Sequence, residues 1–209
     1  QRPRCWYFRN GFGLLALKDG KSLIPDGENR YHAIFPQGQA YFVSASSFGP
    51  PLIALGARVK LASTGGTREL PVEQFFVAPQ REGEREIALK PNEILTEILV
   101  PPAKGVRNAT YEIRPDEGVN WPLVTASVAL RMEGNRVASA RIVMGHVGPT
   151  PVQAVKAAAW LKGKQITEAV AEEAGRRAVE GAKPLSQNGY KVQLAQVAVK
   201  RALLAAVAK

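Results

Sequence analysis

The sequence predicts an α+β fold, with strands grouped ahead of helices instead of alternating with them. Apolar and polar residues alternate in "ARVKLAS" (57–63), "PLVTASVALRM" (122–132) and "RVASARIVMGHV" (136–147), the period of strands with one buried face. From Thr150 onward the chain turns alanine-rich, with apolar residues at helical spacing to the end.

In order, "YHAIF" (31–35) and "AYFVS" (40–44) read as strands, separated by a turn at Pro36-Gln37-Gly38. Next comes "SASSFGPPLIALG" (44–56). Pro50 suits the first turn of a helix, where its missing N–H costs nothing; Ser46 or Ser47 supplies a cap and Gly56 the stop. "ARVKLAS" then turns at Thr64-Gly65-Gly66 into "TRELP". "EREIAL" (84–89) and "ILTEILV" (94–100) predict two further strands around Pro91-Asn92. Pro101-Pro102 and "AKGVRN" read as a linker. Beyond it lie three longer strands, "ATYEIR", 122–132 and 136–147, the last two joined through Gly134-Asn135. Thr150-Pro151 with Gln153 reads as a capping box that opens a helix stopped by Gly163. A second helix starts at Thr167. A third starts near Asn188, with Tyr190, Leu194, Val197 and Leu204 on one stripe.

Composition narrows the function. The 209 residues are 45% hydrophobic and 22% charged, as expected of a globular protein with a core. No apolar run approaches the ~20 residues of a membrane span, and "QRPRCWYFRN" has no apolar signal region. That start, without methionine, leads us to expect a processed or truncated product. Cys5 is the single cysteine, so this chain alone builds no disulfide or cysteine-rich metal site. The net charge of +10 is scattered, without basic–aromatic alternation, and favours a solvated surface or an acidic partner over nucleic acid.

The reactive residue types form no self-contained active site. His32 and His146 stand alone in strand-like segments and read as packing or hydrogen-bonding groups. No Gly-x-Ser-x-Gly elbow surrounds Ser46-Ser47, and "STGG" is followed by a strand where a phosphate cradle needs a helix. Glu82, Glu84 and Glu86 alternate as a solvated strand edge would. Cys5, without a base in sequence, reads as an inert thiol.

Five blocks in order carry a resemblance over nearly the whole chain. "SSFGPPLIALGARVKLAS", "LPVEQFF", "KPNEILTEILVPP", "ARIVMGHVGPTPVQAVKAAAWLKGK" and "KPLSQNGYKVQLAQVAVKRALL" resemble the FAD-binding (medium) subunit of the molybdenum hydroxylases. That family includes carbon monoxide dehydrogenase, xanthine dehydrogenase, aldehyde oxidoreductase and 4-hydroxybenzoyl-CoA reductase. Where the family has a strand ending in Gly-Gly-Val-Ala-Pro-Thr-Pro, this chain has Gly145-His146-Val147-Gly148-Pro149-Thr150-Pro151. The resemblance implies the second half of a PCMH-like FAD-binding domain over 1–103. A flavoprotein C-terminal domain, a three-stranded antiparallel sheet with a three-helix cluster, follows over 104–209.

It also implies FAD as cofactor, and electron transfer between iron–sulfur clusters and an external acceptor. The molybdenum cofactor and 2Fe-2S clusters belong to a large and a small partner subunit, and the substrate to the molybdenum subunit. The family's glycine-rich pyrophosphate region has no match here, so the front of the flavin site falls to an N-terminal part of the same domain. Cytoplasmic location is expected, with export alongside a partner left open.

The cofactor-binding positions implied are Ser46, Ser47, Ile94, Leu95, Tyr111 and Glu112. All but Tyr111 are informative. The family usually has Ser-Asp where Ser46-Ser47 stand, and losing that carboxylate removes a charge-assisted hydrogen bond of ~1.5–3 kcal/mol. A lysine is common at Glu112, and a carboxylate there opposes a reduced, anionic flavin. Ile94 and Leu95 keep the apolar pair beside the ring system. Of the four cysteines that some relatives place on an iron–sulfur loop, only Cys5 has a counterpart. A flavin-less docking scaffold is therefore the alternative reading, and a basic nucleic-acid module rests on charge alone.

Overall fold

The computed structural model describes residues 4–116 and 120–208. A short helix α1 (Trp6–Arg9) and a two-residue hairpin, β1 (Leu17–Lys18) with β2 (Lys21–Ser22), lead into α2 (Gly49–Leu55). Then follow β3 (Arg58–Ser63), β4 (Gly66–Pro71), α3 (Val72–Phe75) and β5 (Ile94–Leu99). The remainder is β6 (Val106–Ile113), β7 (Val124–Glu133), β8 (Arg136–Gly145), β9 (Val152–Gln153), α4 (Val155–Trp160), α5 (Glu168–Ala178) and α6 (Tyr190–Val207). The smaller sheet has the order β4-β3-β5 and the larger β6-β7-β8-β9, with every pairing antiparallel. The α+β class read from the sequence is the one observed.

The larger sheet is packed on both faces. Ala126, Val128, Leu130, Ile142 and Met144 lie under the alanine faces of α4, α5 and α6. The opposite face offers Ala129 and Val143 to Ile53 and Ala54 of α2 and to Val59 and Leu61 of β3. For this reason β7 is buried without a break from Val124 to Leu130, although its sequence partly alternates. Pro50 lies in the first turn of α2, and Gly56 closes the helix in the left-handed region (φ 74°). Arg141 of β8 donates from Nη1 to the carbonyl of Ile53 (2.8 Å), fastening the end of α2 to the sheet.

Several readings of the sequence are corrected. Segments 31–35 and 40–44 form no strand. All but Tyr31 are buried or half-buried, and Ala33 donates to Tyr41 O (2.7 Å), but Ile34 and Phe35 donate to Val147 O (2.9 and 3.0 Å) and Ser44 to Gly148 O (2.9 Å). Residues 84–89 form only one bridge, Phe76 with Ile87. Thr150–Gln153 opens no helix, because Val152 and Gln153 pair with β8 and α4 begins only at Val155. The buried stripe of α6 is Lys191, Ala195, Ala198, Val199, Ala202, Leu203 and Ala206, one helical step from the residues expected.

The acidic trio lies on a loop instead of a strand edge, with Glu82 and Glu84 exposed as expected. Glu82 accepts from the amides of Leu14 (2.7 Å) and Leu15 (2.9 Å), and Glu84 from those of Gln80 (2.8 Å) and Arg81 (3.2 Å). Glu82 thus anchors the first loop to a segment far along the chain. Glu82→Ala is expected to cost about 1–3 kcal/mol, two hydrogen bonds to a charged acceptor. Amide hydrogen exchange checks it: Leu14 and Leu15 lose protection, while β7 keeps its own.

Candidate flavin-facing site

Ser46 shapes the loop that leads into α2. Its Oγ accepts from the amide of Gly49 (2.9 Å), closing the turn that Phe48, at the helix cap, leaves open on its side chain. The first turn of α2 then presses on the larger sheet. A Cβ on Gly145 would lie 2.7 Å from Cγ of Pro50 and 3.4 Å from Cβ of Thr125. Only glycine allows this approach, and it sets the first turn of α2 against β7 and β8.

On that face Glu112 is opposite Thr125 in the β6–β7 register, and Thr125 is opposite Gly145 in the β7–β8 register. Thr125 Oγ1 lies 3.5 Å from Glu112 Oε1 and 3.0 Å from Nδ1 of His146. The second carboxylate oxygen of Glu112 takes the Arg114 guanidinium, so its charge is paired. His146 is 1% exposed and sits at φ +63°, the left-handed region that favours glycine. Its Nε2 has no hydrogen-bond partner among the described residues.

Behind His146 stands a group with no sequence signal. Lys191 of α6 is 1% exposed, and its Nζ donates to the carbonyls of His146 (2.6 Å), His32 (3.2 Å) and Tyr31 (3.5 Å). Burial, then the nearby Arg4, push the Lys191 ammonium down to about 7. Burial and the Lys191 charge likewise hold both His32 and His146 at about 4, so their rings are neutral at pH 7. Neither histidine lies in a strand: His32 is in a turn and meets Cys5 Sγ through Nε2 (3.4 Å), and His146 follows the end of β8. Among the described residues no cluster of His, Cys, Asp or Glu could hold a metal ion.

Residues 109–206 match the carbon monoxide dehydrogenase flavoprotein C-terminal domain, and residues 40–103 the FAD-binding domain of molybdopterin dehydrogenases. The carbon monoxide dehydrogenase medium chain of Hydrogenophaga pseudoflava is 31% identical over 201 residues, 94% of this chain and 68% of that one. The chain belongs to the FAD-binding medium-subunit family of the molybdenum hydroxylases. Another relative, the aldehyde oxidoreductase FAD-binding subunit PaoB of Escherichia coli K12, is 26% identical over 94% of this chain and 60% of its own length. Quinoline 2-oxidoreductase from Pseudomonas putida 86 superposes with a TM-score of 0.67 at 27% identity, covering 78% of this chain and 56% of that one. A crystal structure of the Hydrogenophaga pseudoflava carbon monoxide dehydrogenase gives 0.66 at 30% identity, with coverage of 78% and 56%. The chain therefore spans little more than half of each of these crystal chains.

Within this flavin-subunit fold the six site positions separate. Pro50, three residues after Ser47, and Thr125, the cross-strand neighbour of Glu112, meet at Gly145. Tyr111, next to Glu112 on the strand, faces the other way. It packs against the helical core, and its hydroxyl and ring take the Arg201 guanidinium, whose carbon lies 5.1 Å from the ring centre. Leu95 packs into the smaller core, whereas Ile94 is 71% exposed on β5.

An isoalloxazine is a planar ring, apolar on its faces and hydrogen-bonding at its rim. Phe48, 75% exposed beside the Ser46–Ser47 hydroxyls, and the open side chain of Ile94 offer apolar surface of the kind that such a ring covers. The paired charge of Glu112 removes the net anion that would repel it. These side chains are of the kinds that a flavin ring and its rim accept. Clefts of about 330, 390 and 400 Å³ elsewhere on the surface are lined by none of the six positions.

Proposed function

We propose that this chain is the flavin-carrying electron-transfer subunit of a molybdenum-dependent hydroxylase or dehydrogenase, moving electrons between a partner's iron–sulfur clusters and an external acceptor. The two domain matches in series carry the reading. FAD supplies the exchange between one- and two-electron steps when it is bound. The Ser46–Ser47 loop, Phe48, Ile94 and Leu95 would hold the ring system, and Glu112 with Arg114 would face its rim. Tyr111, also expected at the flavin, would act from behind the strand by packing. The partners are a molybdopterin-binding large subunit and an iron–sulfur small subunit. The FAD-binding part is assigned to 1–103 and the C-terminal domain to 104–209. No helix among the described residues is long and apolar enough to cross a membrane, and a cytoplasmic complex is the setting proposed.

Ser47 and Glu112, where the family usually has Asp and Lys, favour one rival: a docking scaffold without flavin. The complex purified with its partners separates the two. About one FAD per medium subunit, bleached by the substrate of the molybdenum subunit, is the expected result. An intact assembly with no flavin absorbance would establish the scaffold instead.

A further inference from the structure

His146 is costly as it stands. Its backbone sits at φ +63°, where the side chain of an L residue is crowded by its own chain. Its ring is also buried and leaves Nε2 unpartnered. Three contacts hold it, one of them a hydrogen bond with the backbone of Ala45. From behind, the Lys191 ammonium grips its carbonyl at 2.6 Å. In front, Nδ1 meets Thr125 Oγ1 at 3.0 Å, and Thr125 Oγ1 meets Glu112 Oε1 at 3.5 Å.

Elementary hydrogen-bond logic gives this chain a direction. An ionised carboxylate only accepts, so Thr125 spends its single proton on Glu112. Thr125 must then accept from His146, which fixes the tautomer with the proton on Nδ1. The bare Nε2 that results is the atom found without a partner. Glu112 and His146 are therefore joined through one hydroxyl.

We propose that His146 is a positioning residue for the flavin site: through Thr125 it fixes the orientation in which Glu112 faces the cofactor, and Lys191 holds it in place. This rests on the reading that Glu112 borders the flavin. It adds a residue that touches no cofactor and a reason for its strained backbone.

The test uses the full-length complex with its partner subunits and measures the FAD dissociation constant together with the melting temperature. His146→Gly keeps the left-handed backbone and deletes the ring. Thr125→Val keeps the shape and deletes the hydroxyl. Each is expected to weaken FAD binding by about threefold to tenfold, the size of one hydrogen bond. The double variant should be no weaker than either single one, because both break the same chain. His146→Asn, which tolerates φ > 0 and places an amide near the position of Nδ1, should restore most of the affinity. Additive losses, or unchanged FAD binding with only a lowered melting temperature, would overturn the proposal and leave His146 as packing. Failure of the parent complex to bind FAD at all would instead remove the flavin reading on which the proposal stands.

Discussion

Gly175→Val is expected to lower the stability of the chain by about 2–4 kcal/mol, which for a chain of this size is a fall of roughly 5–15 °C in melting temperature. Gly175 is buried in α5, and a Cβ built on it would lie 2.5 Å from the carbonyl oxygen of Gln196 and 3.3 Å from its Cα. Those are backbone atoms of α6, so no flexible side chain can move aside. The crossing is lined by Ala171, Ala174 and Ala178 on one helix and by Ala195, Ala198 and Ala202 on the other, which lets the backbones approach closely. Valine must therefore push α6 outward. Even Gly175→Ala, which gains about 1 kcal/mol of helix propensity, is expected to lose stability overall. Thermal melting of the series Gly, Ala, Val checks the order, and a valine variant that melts with the parent would contradict the packing described. The same displacement would carry Lys191 away from His146, so the valine variant should also expose the 31–33 and 146–148 turns to hydrogen exchange.

That crossing shows what the sequence can and cannot disclose. Alternation found β3, β7 and β8 because each has a face against a core, and turn residues at Gly65-Gly66 and Gly134-Asn135 fixed their register, whereas β6 starts at Val106, inside the stretch read as a linker. The same rule failed at 31–35 and 40–44. Their apolar residues, Tyr31 aside, are buried or half-buried, but the amides of Ile34, Phe35 and Ser44 are taken by the 146–148 turn, which lies distant in sequence. At Thr150 the capping signal was overruled by pairing: Val152 and Gln153 had the edge of β8 available, and two ladder bonds outweigh a local preference.

The candidate site was legible only in part. The Ser46–Ser47 loop and Glu112 were marked by likeness to a family, and in the fold Pro50, three residues after Ser47, meets Thr125, the cross-strand neighbour of Glu112, at Gly145. Lys191 carried no mark, since a lysine in an amphipathic helix reads as solvated. Its burial depends on three carbonyls supplied by two turns far away in sequence. His146 did carry a signal, a histidine where the related run has glycine, but its meaning required the backbone angle.

Acid should destabilise the protein before its carboxylates titrate, and the two buried histidines are the reason. His32 meets Cys5 through Nε2, lies edge-on to the Tyr7 ring at 6.3 Å, and feels the charge of Lys191. His146 faces Thr125, Glu112 and Lys191, and the backbone of Ala45 only partly offsets its burial. Both are held at about 4, against about 6.5 in the unfolded chain. Between those values the unfolded state binds protons that the native state refuses, so stability present above pH 6.5 is lost as pH falls toward 4. Each ring contributes on the order of 3 kcal/mol to that loss, and two together give a slope of about 2.7 kcal/mol per pH unit. Glu93, held down to about 2 by Arg68, adds its own loss only below the usual carboxylate range. Lys191 works in the same direction at the other end: burial lowers it to about 7, so stability continues to rise with pH up to the ordinary lysine range. Urea unfolding from pH 7 to pH 4.5 should show the two-proton slope. The pair His32→Gln and His146→Asn should flatten it, whereas a slope unchanged in that double variant would assign the acid transition to other groups.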